Sequence, residues 1–294
     1  MEAWIIFGLL GSLGYAIAVT IDRTFLGETK KNIEPFAYGT FAAGSSTLFL
    51  ALLAFIVGIP AITKDAILFA LAVGGVGAIS SWTYYFSLQK AESSYVIPLL
   101  KTSVFFSVFL GWLFFNETIT LPTIIGSTLI FLGSYLIIEK QTGKFIWLPK
   151  PSAGLFFVIA SSFLLASRGV IDKLAVVSLS PMLMALLGNV ARWGTTAAVG
   201  LTIKRKSTAQ FFGTIKKSRK VLAGLLLRGM AGAMAFTSLY YALQNGLLSR
   251  VIPLVNLDAV FAVLLGAFLL KEKETTKRLI GALIAIMGAV LLTI

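Results

Sequence analysis

Cysteine and histidine are both absent from the 294 residues. The first absence excludes disulfides, thiolate metal sites and a cysteine nucleophile. The second removes the usual proton shuttle and the commonest metal ligand, so no metal and no cofactor are expected, and any proton coupling falls to carboxylates. Charge is scarce as well, at 13% of residues, and a soluble domain of this length needs more polar surface than that. There is no Gly-x-x-x-x-Gly-Lys-Ser/Thr run, so nothing cradles the phosphates of ATP and a gradient is the available energy source. No pair of carboxylates falls on one mid-span helix turn and no serine sits in a nucleophile elbow, so no catalytic residue is proposed and an enzyme is a distant alternative.

What is present is apolar: 57% of the chain is hydrophobic and the mean hydropathy is +0.92. A spanning helix needs about 20 apolar residues to cross about 30 Å of hydrocarbon. Ten such stretches are predicted, at 3–22, 35–58, 66–88, 95–115, 121–138, 152–171, 181–203, 221–243, 250–270 and 278–294. The runs are continuous rather than alternating, which favours helices over a barrel. The first run, Ala3 to Ile21, has no basic segment before it and is read as a retained helix rather than a signal peptide. The longest interval, 204–220, is rich in Lys and Arg and too short for an inserted soluble domain.

The chain repeats itself. Tyr85-Phe86-Ser87-Leu88-Gln89 with Val96-Ile97-Pro98-Leu99 matches Tyr240-Tyr241-Ala242-Leu243-Gln244 with Val251-Ile252-Pro253-Leu254, always 155 residues apart. Gly111, Glu117, Gly126 and Gly133 fall in the same register on Gly266, Glu272, Gly281 and Gly288. At the fronts of the halves Ile21-Asp22-Arg23 is echoed by Ile171-Asp172-Lys173, and Pro35 by Pro181. Each half therefore carries five spans, and an odd number turns the second copy upside down, the inverted-repeat plan of many secondary transporters. The expected fold is an all-α membrane protein of ten transmembrane helices in two inverted five-helix repeats, 1–150 and 151–294.

Basic residues sort to one side. The loops after spans one, three, five, seven and nine hold 18 Lys and Arg, while the opposite loops hold only Lys64, Lys173 and Arg250. The positive-inside rule makes the basic face cytoplasmic and puts both termini outside. The net charge of +13 thus reflects orientation in a bilayer and not binding of nucleic acid.

The paired Tyr-Tyr/Leu-Gln…Val-Ile-Pro-Leu segments, the Glu117 and Glu272 that close each fourth span, and the pairs Gly126…Gly133 and Gly281…Gly288 resemble the drug/metabolite transporter superfamily, of the ten-helix EamA type. The resemblance spans the chain and implies two inverted five-helix bundles around a mid-membrane cavity. It implies a multi-pass cell-membrane transporter of small molecules: members export amino acids and other metabolites, and relatives exchange sugar nucleotides or organic phosphates. The expectation is a secondary active exporter of small polar metabolites such as amino acids, acting as a monomer or homodimer, with an organic anion, phosphate or nucleotide-sugar exchanger as the alternative.

Charged side chains within spans are costly and therefore mark function. Lys101 lies one turn after Pro98, on a predicted face with Phe105, Val108 and Trp112, and its repeat partner is Asn256, on a face with Val260 and Val263. This pair is the preferred polar floor of a cavity. Asp258 has two readings: a carboxylate that takes a proton or a substrate amine, or a permanent counter-ion for Lys101 or Arg228. Arg228 suits a substrate carboxylate or phosphate, whereas Arg192 reads more simply as stacking on an aromatic ring or snorkelling. Trp82, Tyr85 and Tyr240 are candidate cavity walls, with Trp82 and Tyr85 three apart on one face. Arg168 and Asp172, spaced i, i+4, pair along one helix, and with Asp22 and Arg23 they read as gates or packing clasps. Glu117 and Glu272 have a helix-terminus role, capping the next helix or holding a basic loop residue.

Overall fold

A computed structural model describes residues 2–26, 33–90, 96, 99–138, 153–270 and 276–293. Every regular element among these is an α-helix: α1 (Ala3–Leu26), α2 (Pro35–Val57), α3 (Lys64–Lys90), α4 (Ser103–Phe115), α5 (Leu121–Ile138), α6 (Ala153–Ser178), α7 (Pro181–Thr202), α8 (Arg205–Lys217), α9 (Arg219–Asn245), α10 (Leu248–Val255), α11 (Asp258–Leu270) and α12 (Thr276–Leu292). Among the described residues five helices, α1, α2, α3, α6 and α9, are long and apolar enough to cross a membrane, and shorter apolar helices lie at Ser103–Phe115, Leu121–Ile137 and Leu279–Leu292. Large apolar side chains such as Phe55, Ile56 and Leu68 stand on the outside, as a surface solvated by lipid requires.

Two predicted spans are interrupted. Around residues 101–102 and 256–257 the helices open into turns, and the hydrogen bonds tighten to i→i−3. Thr102 N donates to Leu99 O at 3.1 Å and Phe105 N to Thr102 O at 3.0 Å, while Leu257 N donates to Leu254 O at 3.1 Å and Val260 N to Leu257 O at 2.9 Å. These bonds match pairwise along the repeat. Pro253, inside α10, lacks the N–H that would bond Ser249 O, which prepares the break; its counterpart Pro98 lies outside the described residues. The break corrects one expectation. Lys101 is buried, but Phe105 and Trp112 face outward, because a continuous helical register does not carry through a turn. The inner face of α4 is Ser103, Val104, Ser107, Leu110 and Gly111.

The halves interleave. The most extensive packing runs α5 with α12, α1 with α9, α3 with α6 and α7, and α2 with α7, so each principal neighbour comes from the other half. Helices α5 and α12 cross at glycine: a Cβ on Gly126 would stand 2.7 Å from Gly288 O, and one on Gly281 would stand 2.7 Å from Gly133 O. The first glycine of one helix meets the second of the other, so the helices run antiparallel with reciprocal contacts, as a two-fold axis relating the halves demands. Absence of side chains lets the backbones touch.

The interval 204–220, expected to be a basic loop, contains α8. Thr208, Phe211 and Ile215 lie on its buried stripe, with Phe211 5.6 Å from Phe41 on α2, while Lys216 lies over the Phe212 ring at 4.5 Å. Lys, Arg and aromatic residues around an apolar stripe are the composition of a helix at a membrane surface.

Candidate functional site

The two breaks bring Lys101 and Asp258 together. Asp258 opens α11, where the helix dipole favours a carboxylate, and Lys101 stands in the turn before α4. Lys101 Nζ donates to Asp258 Oδ1 across the halves, and both residues are buried. Of the two readings of Asp258, the geometry provides the contact that both need, and its cation is Lys101 rather than Arg228. Asn256 donates from Nδ2 to Ile252 O at 2.9 Å within its own helix.

A cavity of about 110 Å³ lies against this pair; its polar lining is Lys101, Asp258, Asn256, Arg168, Asp172 and Tyr15, and the remainder is aliphatic. That volume has room for several waters, although most of the exposed wall is apolar. Val260, on the predicted face with Asn256, is buried but not on the cavity wall, and the Val263 side chain lies outside the described residues.

Two carboxylate clusters flank the cavity. In one, Arg168 Nε meets Asp172 Oδ2 at 3.3 Å along α6, and Tyr240 Oη on α9 donates to Asp172 Oδ1 at 2.6 Å. The i, i+4 pairing of Arg168 with Asp172 is as expected. Beyond that pairing, both lie on the cavity wall, where the sequence had suggested a gate or packing clasp rather than a binding site. In the other cluster, Arg228 donates from Nε to Asp22 Oδ1 at 3.0 Å and from Nη1 to Ser46 Oγ at 3.0 Å, and Tyr38 Oη donates to Asp22 Oδ1 at 2.5 Å. Tyr85 packs edge-on against Tyr38 at 5.5 Å. Asp22 takes its cation from α9, although its neighbour Arg23, which is half-buried, was the expected companion.

Arg228, Tyr85 and Tyr240 thus serve buried ion pairs and do not line the cavity. Trp82 packs on Phe36 at 5.0 Å and is likewise not part of the cavity lining. Arg192 does stack: its guanidinium lies 4.9 Å from the centre of the Phe236 ring. Glu117 does more than close its own helix, because its two carboxylate oxygens accept from Leu248 N at 2.7 Å and Ser249 N at 2.8 Å, the first amides of α10 in the other half. Lys173 mirrors this at a helix end, with Nζ donating to Leu243 O at 2.5 Å and Gly246 O at 2.7 Å. Glu272 and the Gly266 side-chain position lie outside the described residues.

Sequence reasoning missed Tyr15, Tyr38, Ser46 and Phe236. Tyr15 could have been found seven residues before Asp22, on the same helix face; the other three carry no signal before the helices are packed.

The model of the EamA-like transporter family matches residues 2–139 and again 152–294. The chain belongs to the EamA-like transporter family. This places it within the drug/metabolite transporter superfamily, as a multi-pass membrane transporter carrying two EamA units. Among curated proteins it is 38% identical over 77 residues, 26% of its length, to the uncharacterized protein MJ1333.1 of Methanocaldococcus jannaschii, and the match spans 56% of that protein. A solved crystal structure superposes with a TM-score of 0.80 over 99% of this chain and 96% of its own, at 13% identity. That likeness concerns the EamA-like fold alone.

Proposed function

We propose that this chain is a secondary active transporter that exports small polar metabolites, amino acids among them, by alternating access across the cell membrane. The observation that carries the reading is the cavity between the halves, walled by Lys101, Asp258, Asn256, Arg168 and Asp172. Polar groups at membrane depth are retained where a solute or ion passes, and a site at the junction of two related halves can be reached from either side by the same motion.

In this reading ten spans cross the bilayer, the basic loops are cytoplasmic and the termini lie outside. The Lys101–Asp258 bond bridges the halves at their two breaks. A proton on Asp258, or the amine of a solute, competes with Lys101 and releases the bridge, so its occupancy is linked to which side the cavity faces. One chain completes the cavity, and no cofactor takes part.

The test is uptake into proteoliposomes of the purified protein, screened over amino acids, nucleobases and phosphorylated sugars. Uptake by the wild type and its loss in folded Lys101→Ala and Asp258→Asn are expected, with an imposed pH gradient driving accumulation. Full activity in both variants would remove the pair from the transport path. Inactivity of the wild type toward every class of solute would remove the reading itself.

A further inference from the structure

Among the described residues, three buried cations sit against a buried carboxylate and a fourth does not. Lys101 is matched by Asp258, Arg168 by Asp172 and Arg228 by Asp22. Glu117 is taken by the amides of α10. Arg192, 4% exposed near the middle of α7, has no carboxylate partner among the described residues. Its Nη2 donates to Asn189 Oδ1 at 2.8 Å and its Nη1 to Ser81 Oγ at 3.4 Å, both neutral, and its Nε has no partner among the described residues. Arg228 and Arg168 are the cations that act on it, and none of the ion pairs among the described residues includes it.

Arg168 shares this surroundings. Its guanidinium also lies 4.9 Å from the Phe236 ring centre, and the two arginines meet at Gly77, where a Cβ would stand 3.2 Å from Arg168 Nη1 and 3.4 Å from Arg192 Cδ. Arg168 Nη2 has no partner among the described residues, and Arg168 forms part of the cavity wall. A guanidinium on the wall with an unfilled N–H, backed by a second one with no carboxylate beside it among the described residues, offers what an anion needs.

We infer that Arg168 and Arg192 together receive one carboxylate group of the transported solute, so that the cavity selects compounds carrying a single such charge. The carboxylate takes the unfilled N–H of Arg168 at the wall, and Arg192 behind it supplies a positive charge that no described carboxylate pairs with. One carboxylate matches the local charge of Arg192, the buried cation with no described carboxylate beside it; a dianionic phosphate overcompensates it. Arg228 does not compete for this ligand, because Asp22 and Ser46 already occupy it. The inference rests on the transport reading for its solute but not for its binding chemistry.

The two can therefore be tested apart. Thermal unfolding of the purified wild type is followed with matched pairs, acetate and acetamide, benzoate and benzamide, L-leucine and L-leucinamide, and with inorganic phosphate. At least one carboxylate is expected to raise the midpoint while its amide does not, and Arg192→Gln is expected to weaken that carboxylate by about tenfold or more, the loss of a charge-assisted contact, with Arg192→Lys retaining part of it. A wild type stabilised by no carboxylate, by amides equally, or by phosphate as strongly overturns the site, and these comparisons need no variant to fold. Uptake into proteoliposomes judges the rest: binding of carboxylates without movement of any panel solute overturns transport and leaves the site, whereas movement without carboxylate preference overturns the site and leaves transport.

Discussion

Removing one member of the Lys101–Asp258 pair separates its two readings. Both side chains are buried, at 6% and 8% exposure, and they come from opposite halves. Asp258→Asn leaves an ammonium at membrane depth facing an amide, and stranding one partner of a buried pair costs about 3–5 kcal/mol. Lys101→Met strands the carboxylate at a similar cost. The double variant Lys101→Met/Asp258→Asn removes both charges, and replacing a buried pair by neutral groups is close to neutral in stability. A double-mutant cycle measured by reversible unfolding in detergent is therefore expected to show a coupling of about 2 kcal/mol or more. Uptake into proteoliposomes then divides the cases: a double variant that is stable and inactive makes the pair part of the transport path, and one that is stable and active makes it a bolt. A single variant costing less than about 1 kcal/mol would refute the reasoning, since the charge left behind would then be in water.

Other perturbations follow from packing and caps. Gly126→Ala and Gly281→Ala each push a methyl to 2.7 Å from a carbonyl oxygen and are expected to destabilise the α5–α12 crossing by about 1–3 kcal/mol, whereas Gly75→Ala, with nothing within 4 Å of its Cβ, is expected to leave the unfolding midpoint unchanged or slightly raised. Glu117→Gln keeps the shape but halves the acceptors offered to Leu248 N and Ser249 N; a loss of about 1–2 kcal/mol is expected in the same assay. The absence of cysteine makes labelling direct: single cysteines at the exposed Gln210 and Thr214 of α8 are expected to react with an impermeant maleimide from the cytoplasmic side only, and reaction from outside would invert the assigned topology.

The repeat was the most legible feature of the chain, and it foretold more than the spans. Gly126, Gly133, Gly281 and Gly288 stood out by register alone, and they meet one another at the α5–α12 crossing. Charge inside spans also pointed correctly to buried places, since a membrane interior leaves such groups few alternatives. Which charge meets which was not legible. Asp258 lies 157 positions from Lys101 and Asp22 lies 206 from Arg228, and no local pattern reaches that far; nearness in sequence favoured Arg23 for Asp22. The face assigned to Lys101 failed because periodicity assumes an unbroken helix, and only the i→i−3 bonds after Leu99 reveal the turn. The helix at 205–217 was hidden by its Lys and Arg, although Thr208, Phe211, Phe212 and Ile215 already traced a stripe.

The exchange of neighbours between halves bears on how the molecule is made and how it moves. Helix α1 leaves the ribosome long before α9, its chief companion, and α5 has no glycine partner until α12 arrives. Two pieces divided between the family units would each expose the polar inner faces that the other half covers, so they are expected to be inserted but not assembled until they meet. For the same reason the bodies that shift in the proposed transport cycle are expected not to be the first and second stretches of the chain, but composites that each draw helices from both.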